Sequence, residues 1–433
     1  MTVFHADHAW VAGKFARNVR IEVSGGLINS VTPDSPADGS LLTGLVLPGF
    51  ANAHSHAFHR ALRGRTHGDR GSFWTWRELM YQVAGRLDPD SYFTLARAVY
   101  GEMALAGITS VGEFHYLHHG PDGVPYADPN AMGHALIAAA REAGIRITLL
   151  DTVYLTAGVD GKPLEGVQRR FGDGDYDGWH TRFEQLKGGD GVKIGAALHS
   201  VRAAPADGMA TFAQRTDGLP VHVHLSEQPA ENEACQAVHG CSPTELLDAM
   251  GFWQPMTTAV HATHLSPADI TILGRGRYAC FCTTTERDLA DGIGPARALA
   301  DAGAVLTLGS DSHAVIDMFE EARGVELDER LATRQRGHFS AAELLTAATS
   351  AGHASLGWAG TGEIAVGQRA DLVAVSLDSV RTAGTDPGGL IFAATAADVT
   401  DVIVDGRPIV TEGRHRAMDV PRALRESIAE VLS

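Results

Sequence analysis

His54 and His56 stand two residues apart at the end of the apolar run GLVLPGF, and side chains two apart on a strand share a face. Both imidazoles can therefore meet one ion from the same side, and zinc accepts neutral imidazole nitrogen at about 2.0–2.1 Å. Alone, such a pair reads equally as two hydrogen-bonded histidines. Residues of the same chemistry recur downstream, however. His222 and His224 lie in LPVHVHLSE, with Glu227 three residues past His224; His261 and His264 lie in TTAVHATHL; Asp311 sits in AVLTLGSDS. His222 lies deeper in its strand, where it would support a ligand. His264 reads equally as a hydrogen-bonded loop residue.

The segments carrying these residues alternate with helical stretches. VLPGFANAH is followed by ITSVGEFHY (108–116), IRITLLDTVY (145–154), VKIGAALHS (192–200), LPVHVHLSE (219–227), TTAVHATHL (257–265), YACFCTTTE (278–286) and AVLTLGSDS (304–312). Eight apolar strands separated by helices such as PDSYFTLARAVYGEMALAG predict an α/β fold, a (β/α)8 TIM-like barrel. Each candidate then falls at the carboxyl end of a strand, where barrel active sites lie. Ser340 and Glu343 give a capping box that opens a last helix, AAELLTAATSAGHASLG. Residues 9–32 and 362–414 read instead as short alternating β segments broken by Gly and Asp turns. They predict one small β-sandwich built from both termini. The expected division is residues 1–48 and 359–433 for that sandwich and 49–358 for the barrel.

The 433 residues include 35 basic and 52 acidic side chains, a net charge of −17. That balance opposes non-specific binding to nucleic acid or to an anionic membrane surface. No run approaches the roughly 18 apolar residues of a membrane span, and MTVFHADHAW lacks the basic and apolar regions of a secretion signal. Four cysteines are too few for a disulfide scaffold, and Cys280 and Cys282, two apart in one strand, are expected to pack and not to bridge. The expectation is a reduced, cytoplasmic protein.

His-x-His, then His with Glu three residues later, then His, then Asp resembles the amidohydrolase superfamily over essentially the whole chain. HSHAFHRALRG, GSFWTWRELMY, EFHYLHH, LHSVRA, HLSEQPAE, VHATHLS, TTTERDLADGIGP and GSDSHAVIDMFEEAR resemble one family within it, the formimidoylglutamate deiminases of histidine degradation. GSFWTWRELMY and FHYLHH are the most specific of these. Two positions depart from the family: His59 stands where Gln is usual, and Thr283 where Pro is usual.

The resemblance implies a distorted barrel flanked by the composite sandwich. It also implies zinc-dependent hydrolysis of N-formimidoyl-L-glutamate to N-formyl-L-glutamate and ammonia. His54, His56, His224 and Asp311 suit one Zn²⁺ per chain that still accepts a water. Metal-bound hydroxide would attack the formimidoyl carbon, with Asp311 taking the water's proton, Glu227 carrying a proton to the leaving nitrogen, and His261 orienting the water. Superfamily members with two metals usually bridge them through a Lys at the end of strand four. Here Lys193 begins that strand and His199 ends it, so one metal is expected. The resemblance points to Arg77, Tyr116, His199, Arg202 and the substituted His59 as substrate contacts, with Trp74 and Trp76 walling the pocket. A planar guanidinium fork suits a carboxylate. The expected partners are a small-molecule substrate and a second copy of the chain in a homodimer. The competing readings are a deaminase of guanine or a related heterocycle, and a structural barrel without catalysis. The first would want aromatic stacking and amide readers, and the second typically lacks metal ligands.

Overall fold

The computed structural model describes residues 1–67 and 73–433, leaving aside the side chains of Phe73 and Trp74. Strands β1 (Thr2–Val11), β2 (Lys14–Ser24) and β3 (Leu27–Thr32) form an antiparallel meander. The turn joining β2 to β3 needs left-handed backbone at both central positions, and Gly25 and Gly26 supply it at φ 60° and 82°. β4 (Ser40–Pro48) runs parallel beside β1 and antiparallel to β13 (Leu372–Val375). β14 (Val399–Val404), β15 (Arg407–Thr411) and β16 (Arg414–His415) complete this sheet, which both termini build as the alternation predicts. Phe4, Val19, Ile21, Leu42, Leu372 and Ile403 are among the side chains of its own core.

The run GLVLPGF is not one strand. Its first part belongs to β4, and the barrel begins at β5 (Phe50–Ser55). Pro48 has no N–H for a ladder. The Gly49 N–H turns to Asp371 O at 2.9 Å, and a Cβ at Gly49 would lie 2.5 Å from the Thr109 side chain. The chain crosses from one sheet to the other at this glycine.

After β5 come β6 (Ile108–His115), β7 (Arg146–Val153), β8 (Val192–Leu198), β9 (Val221–Leu225), β10 (Thr257–His261), β11 (Tyr278–Phe281) and β12 (Val305–Leu308). All are parallel and lie in chain order. Every residue of β5, β6 and β7 is buried, as expected of parallel strands covered by helices. The barrel closes at its carboxyl mouth, where Ser55 bridges Asp311, His56 N–H donates to Asp311 O at 3.2 Å and Asp311 N–H to His54 O at 3.0 Å.

Several strands end earlier than the sequence suggests. In YACFCTTTE the strand stops at Phe281, and Thr283–Asp288 turns helical because the Glu286 carboxylate accepts the Cys282 N–H at 2.9 Å. Cys280 and Cys282 pack unbridged beside Ala53 and Val260. The Ser340–Glu343 capping box forms, and the helix it opens runs to Ser355 with a π-helical turn over Ala347–Ala351. The C-terminal stretch also holds a helix, Val420–Leu432, against α2 (Pro89–Leu105). Before α2, α1 (Phe73–Arg86) lies over the mouth and is tied down by the buried Arg170, whose guanidinium donates to the carbonyls of Ala84, Leu87 and His119. Among the described residues no helix is long and apolar enough to cross a membrane.

Candidate active site

Closure of the barrel brings β5, β9 and the turn after β12 to one point. His54 Nε2 lies 3.1 Å from His224 Nε2 and 3.2 Å from Asp311 Oδ1; His56 Nε2 lies 3.4 Å and 3.3 Å from the same two atoms. The four ligand atoms all lie within 4.8 Å of one another. A point equidistant from atoms so spaced is roughly 2.0–2.3 Å from each, against about 2.0–2.2 Å for zinc bonded to imidazole nitrogen or carboxylate oxygen. Proton placement also favours an ion. The Nδ1–H groups of His56 and His224 donate to Phe114 O at 2.9 Å and His199 O at 3.0 Å, which leaves their Nε2 lone pairs facing each other. Burial keeps both rings neutral, pushing His56 down to about 3 and His224 well below its ordinary value. Two facing lone pairs repel unless a cation sits between them. Glu113 holds the ligand strand from behind, accepting the Ser55 hydroxyl and the Ala57 N–H at 2.7 Å each.

Beside these atoms lies a cluster that handles protons. His261 Nε2 is 3.8 Å from Glu227 Oε1, and its Nδ1 is 3.3 Å from Glu286 Oε1. Burial opposes charge on His261, but Glu227, Glu286 and Asp311 outweigh it and hold the ring well above its ordinary value. Burial raises Glu227. Asp291, within 4.8 Å of Glu227 and His261, is pushed up to about 9 by burial and then by Glu227. Asp311 goes the other way: burial would raise it, yet the hydrogen bond and charge of His54 hold it below the usual carboxylate range. Environment thus separates two carboxylates, one ionised and one able to hold a proton. Backbone strain collects here too, with Ser226, His261, Ala262, Asp311 and His313 all at positive φ, between 39° and 67°.

One cavity joins this chemistry to the residues expected to meet substrate: His59, Arg77, Tyr116, His199 and Arg202 all line it, with Glu227, His261 and Asp311. Trp76 is a wall, as expected; the Trp74 side chain, Gly71 and Ser72 lie outside the described residues. His59 Nε2 lies 2.9 Å from the Tyr116 hydroxyl. Arg202 lies 2.9 Å from Glu231 and 3.6 Å from Glu227. His222 is buried two residues below His224, with burial pushing it to about 3. His264 Nε2 meets Asp291 O at 2.8 Å, a hydrogen-bonded loop residue. Lys193 lies over the Trp358 ring, its Nζ 5.1 Å from the centroid, at the opposite end of β8 from His199. In a second histidine group, His115 and His118 with Asp151, the carboxylate is already answered within the protein: Arg182 donates to both Asp151 oxygens at 2.7 and 2.9 Å.

Sequence reading gave no role to Glu231, Glu286, Asp291, Tyr81 or Tyr154. The first four lie within motifs already singled out, HLSEQPAE, TTTERDLADGIGP and GSFWTWRELMY. Tyr154 follows the last residue of β7, at the same mouth-facing position that marked the histidines.

A parallel barrel whose mouth gathers three histidines and an aspartate beside a Glu–His pair is the architecture of a metal-dependent hydrolase. The amidohydrolase family profile matches residues 45–409, and that of the formimidoylglutamate deiminase HutF N-terminal domain matches residues 1–40. The formimidoylglutamate deiminase of Pseudomonas aeruginosa is 38% identical over 454 residues, covering 100% of both chains. The 8-oxoguanine deaminase of the same organism is 30% identical over 390 residues, 87% of this chain and 84% of the other. The crystal structure of an amidohydrolase from Brucella melitensis superposes with a TM-score of 0.90 at 34% identity, covering 100% of each chain. The chain belongs to the amidohydrolase family, hydrolases of C–N bonds, and within it to the formimidoylglutamate deiminases.

Proposed function

We propose that this enzyme hydrolyses N-formimidoyl-L-glutamate to N-formyl-L-glutamate and ammonia, using one zinc ion per chain held by His54, His56, His224 and Asp311. The observation that carries this reading is the shared cavity: Arg77 and Arg202 line the same space as Glu227, His261 and three of the four ligands, His56, His224 and Asp311. A dicarboxylate needs local cations in a chain of net charge −17. The likeness to the P. aeruginosa deiminase supports the choice of substrate. Lys193, turned to Trp358, supports a single metal. Four free cysteines suit a reducing cytoplasm.

When bound, the metal would lower the pKa of a water from 15.7 towards about 7 and so make it nucleophilic. Asp311, held ionised, would take a proton from that water, and His261, whose ring its carboxylate neighbours favour in the charged form, would orient the oxygen and offset its developing charge. As the water oxygen bonds to the formimidoyl carbon, the second C=N electron pair moves to the terminal nitrogen; the remaining bond to that nitrogen then breaks as the oxygen gives up its second proton and the C=O bond of the formyl group forms. Glu227, raised by burial and 3.8 Å from His261, would carry a proton to that nitrogen, which leaves as ammonia. Arg77 and Arg202 fix the glutamyl end, keeping its own nitrogen away from Glu227.

Product analysis by NMR tests this. N-formyl-L-glutamate and ammonia are expected. Glutamate with formamide would overturn the orientation, and efficient guanine deamination without turnover of the formimidoyl compound would overturn the substrate.

A further inference from the structure

Behind the cavity wall, Gln168 joins two tyrosines that approach from different elements. Its Nε2 donates to the Tyr81 hydroxyl oxygen at 3.0 Å and to the Tyr154 hydroxyl oxygen at 3.3 Å. Tyr81 comes from α1 and Tyr154 from the end of β7, and both line the cavity; Gln168 stands in the 3-10 turn Gly166–Phe171 behind them. A phenol oxygen that already accepts from an amide must point its own proton elsewhere. Burial, reinforced by Tyr81, keeps the Tyr154 proton in place far above the ordinary tyrosine value. The nearby cations frame the same space: the Arg77 guanidinium lies 5.5 Å from the Tyr81 ring centroid, and Arg202 lines the cavity beside Tyr154.

The substrate inferred above brings two carboxylates. Part of the charge of Arg202 is already answered within the protein by Glu231 at 2.9 Å and Glu227 at 3.6 Å. Further donors that add no positive charge are then useful, because burial of a carboxylate oxygen without a partner is costly. We propose that Tyr81 and Tyr154, aligned by Gln168, are a carboxylate reader: their hydroxyls donate to one substrate carboxylate, and Gln168 sets the direction of both protons. Such a pair favours a carboxylate, which only accepts, over a carboxamide, whose NH₂ would face two donors. This specificity rests on the substrate reading of the preceding section.

The test compares wild type, Tyr154→Phe, Tyr81→Phe and Gln168→Met on N-formimidoyl-L-glutamate and on its α- and γ-carboxamides. Binding of glutarate, an unreactive dicarboxylate, is followed by calorimetry, with metal content and thermal melting as folding checks. Tyr154→Phe should raise KM for the diacid roughly 10- to 100-fold, the span of a hydrogen bond to a charged group, with kcat within about twofold. It should weaken glutarate binding in parallel. Preference for the diacid over one of the two carboxamides should shrink, which identifies the carboxylate that is read. Gln168→Met should weaken binding in the wild-type background and add nothing once both tyrosines are Phe. Unchanged KM and glutarate affinity in Tyr154→Phe, or a fall confined to kcat, would overturn the proposal. If Tyr154→Phe fails to fold, Tyr81→Phe decides by the same readouts. Wild type that does not turn over N-formimidoyl-L-glutamate would instead sink the substrate reading.

Discussion

Glu227 and Asp311 are both carboxylates at one barrel mouth, yet their surroundings drive them apart. Asp311 shares its oxygen with His54 and His56 at 3.2 and 3.3 Å and stays ionised, while burial raises Glu227. Glu227→Gln should therefore keep the metal and lose roughly 10²–10⁴ in kcat, the contribution of general acid–base catalysis. A variant turning over at the wild-type rate would mean that the proton carrier is another residue. The ligand set gives a second expectation, read by metal analysis and calorimetry. Purified enzyme should hold about one equivalent of zinc per chain, and a chelator should abolish activity while leaving most of the fold. Restoring zinc to a free concentration of 100 times its Kd should stabilise the fold by about 2.7 kcal/mol. Two tightly held equivalents would refute the single-metal reading.

At the level of elements, what matters is how α1 is held over the mouth, because it carries Trp76, Arg77 and Tyr81. Helix ends leave carbonyls unsatisfied, and a cation near a helix C-terminus is favourable. Arg170 answers both needs at once, donating to Ala84 O and Leu87 O, and its bond to His119 O ties the helix to the segment after β6. Arg170→Met should cost about 1–3 kcal/mol for each buried carbonyl left without a donor. It should also raise KM more than it lowers kcat, since the clamp acts on the helix that bears Arg77, with metal content unchanged. Loss of metal along with affinity would show that the clamp supports the ligand strands instead.

Across the whole molecule, one buried ion pair joins barrel to terminal sheet. Arg146, at the start of β7, holds both oxygens of Asp371, just before β13, and reaches Asp405 at 2.6 Å. Burial would raise the Asp371 carboxyl, but Arg146 outweighs it and holds it below its ordinary value. A lowered carboxylate stabilises the fold above the unfolded value of about 3.9, and that contribution is lost as pH falls through the lower folded value. Asp371→Asn should thus be less stable by about 3–5 kcal/mol at pH 7, the usual result of breaking a buried pair. In denaturant titrations the gap from wild type should narrow as pH drops from 5 towards 3. A constant gap across that window would assign the loss to packing.

The His-x-His pair, the HxxE step after His224 and the strand-end Asp311 were legible in the sequence because strand periodicity alone fixes which side chains share a face. The eight parallel strands and the sheet from both termini followed from alternation and turn residues, which are local properties. Tertiary structure decided what depends on distant partners. GLVLPGF splits between two sheets because Asp371 and Thr109, far away in sequence, meet Gly49. YACFCTTTE ends as a helix because the Glu286 side chain folds back onto Cys282 N–H, a competition that apolar patterning does not register. Glu231, Asp291 and Tyr154 gained significance only from the groups placed beside them: Arg202 against Glu231, Glu227 near Asp291, Gln168 behind Tyr154. Ligand spacing is written within single strands, whereas charge states and hydroxyl directions are set by burial and neighbours that only the closed barrel supplies.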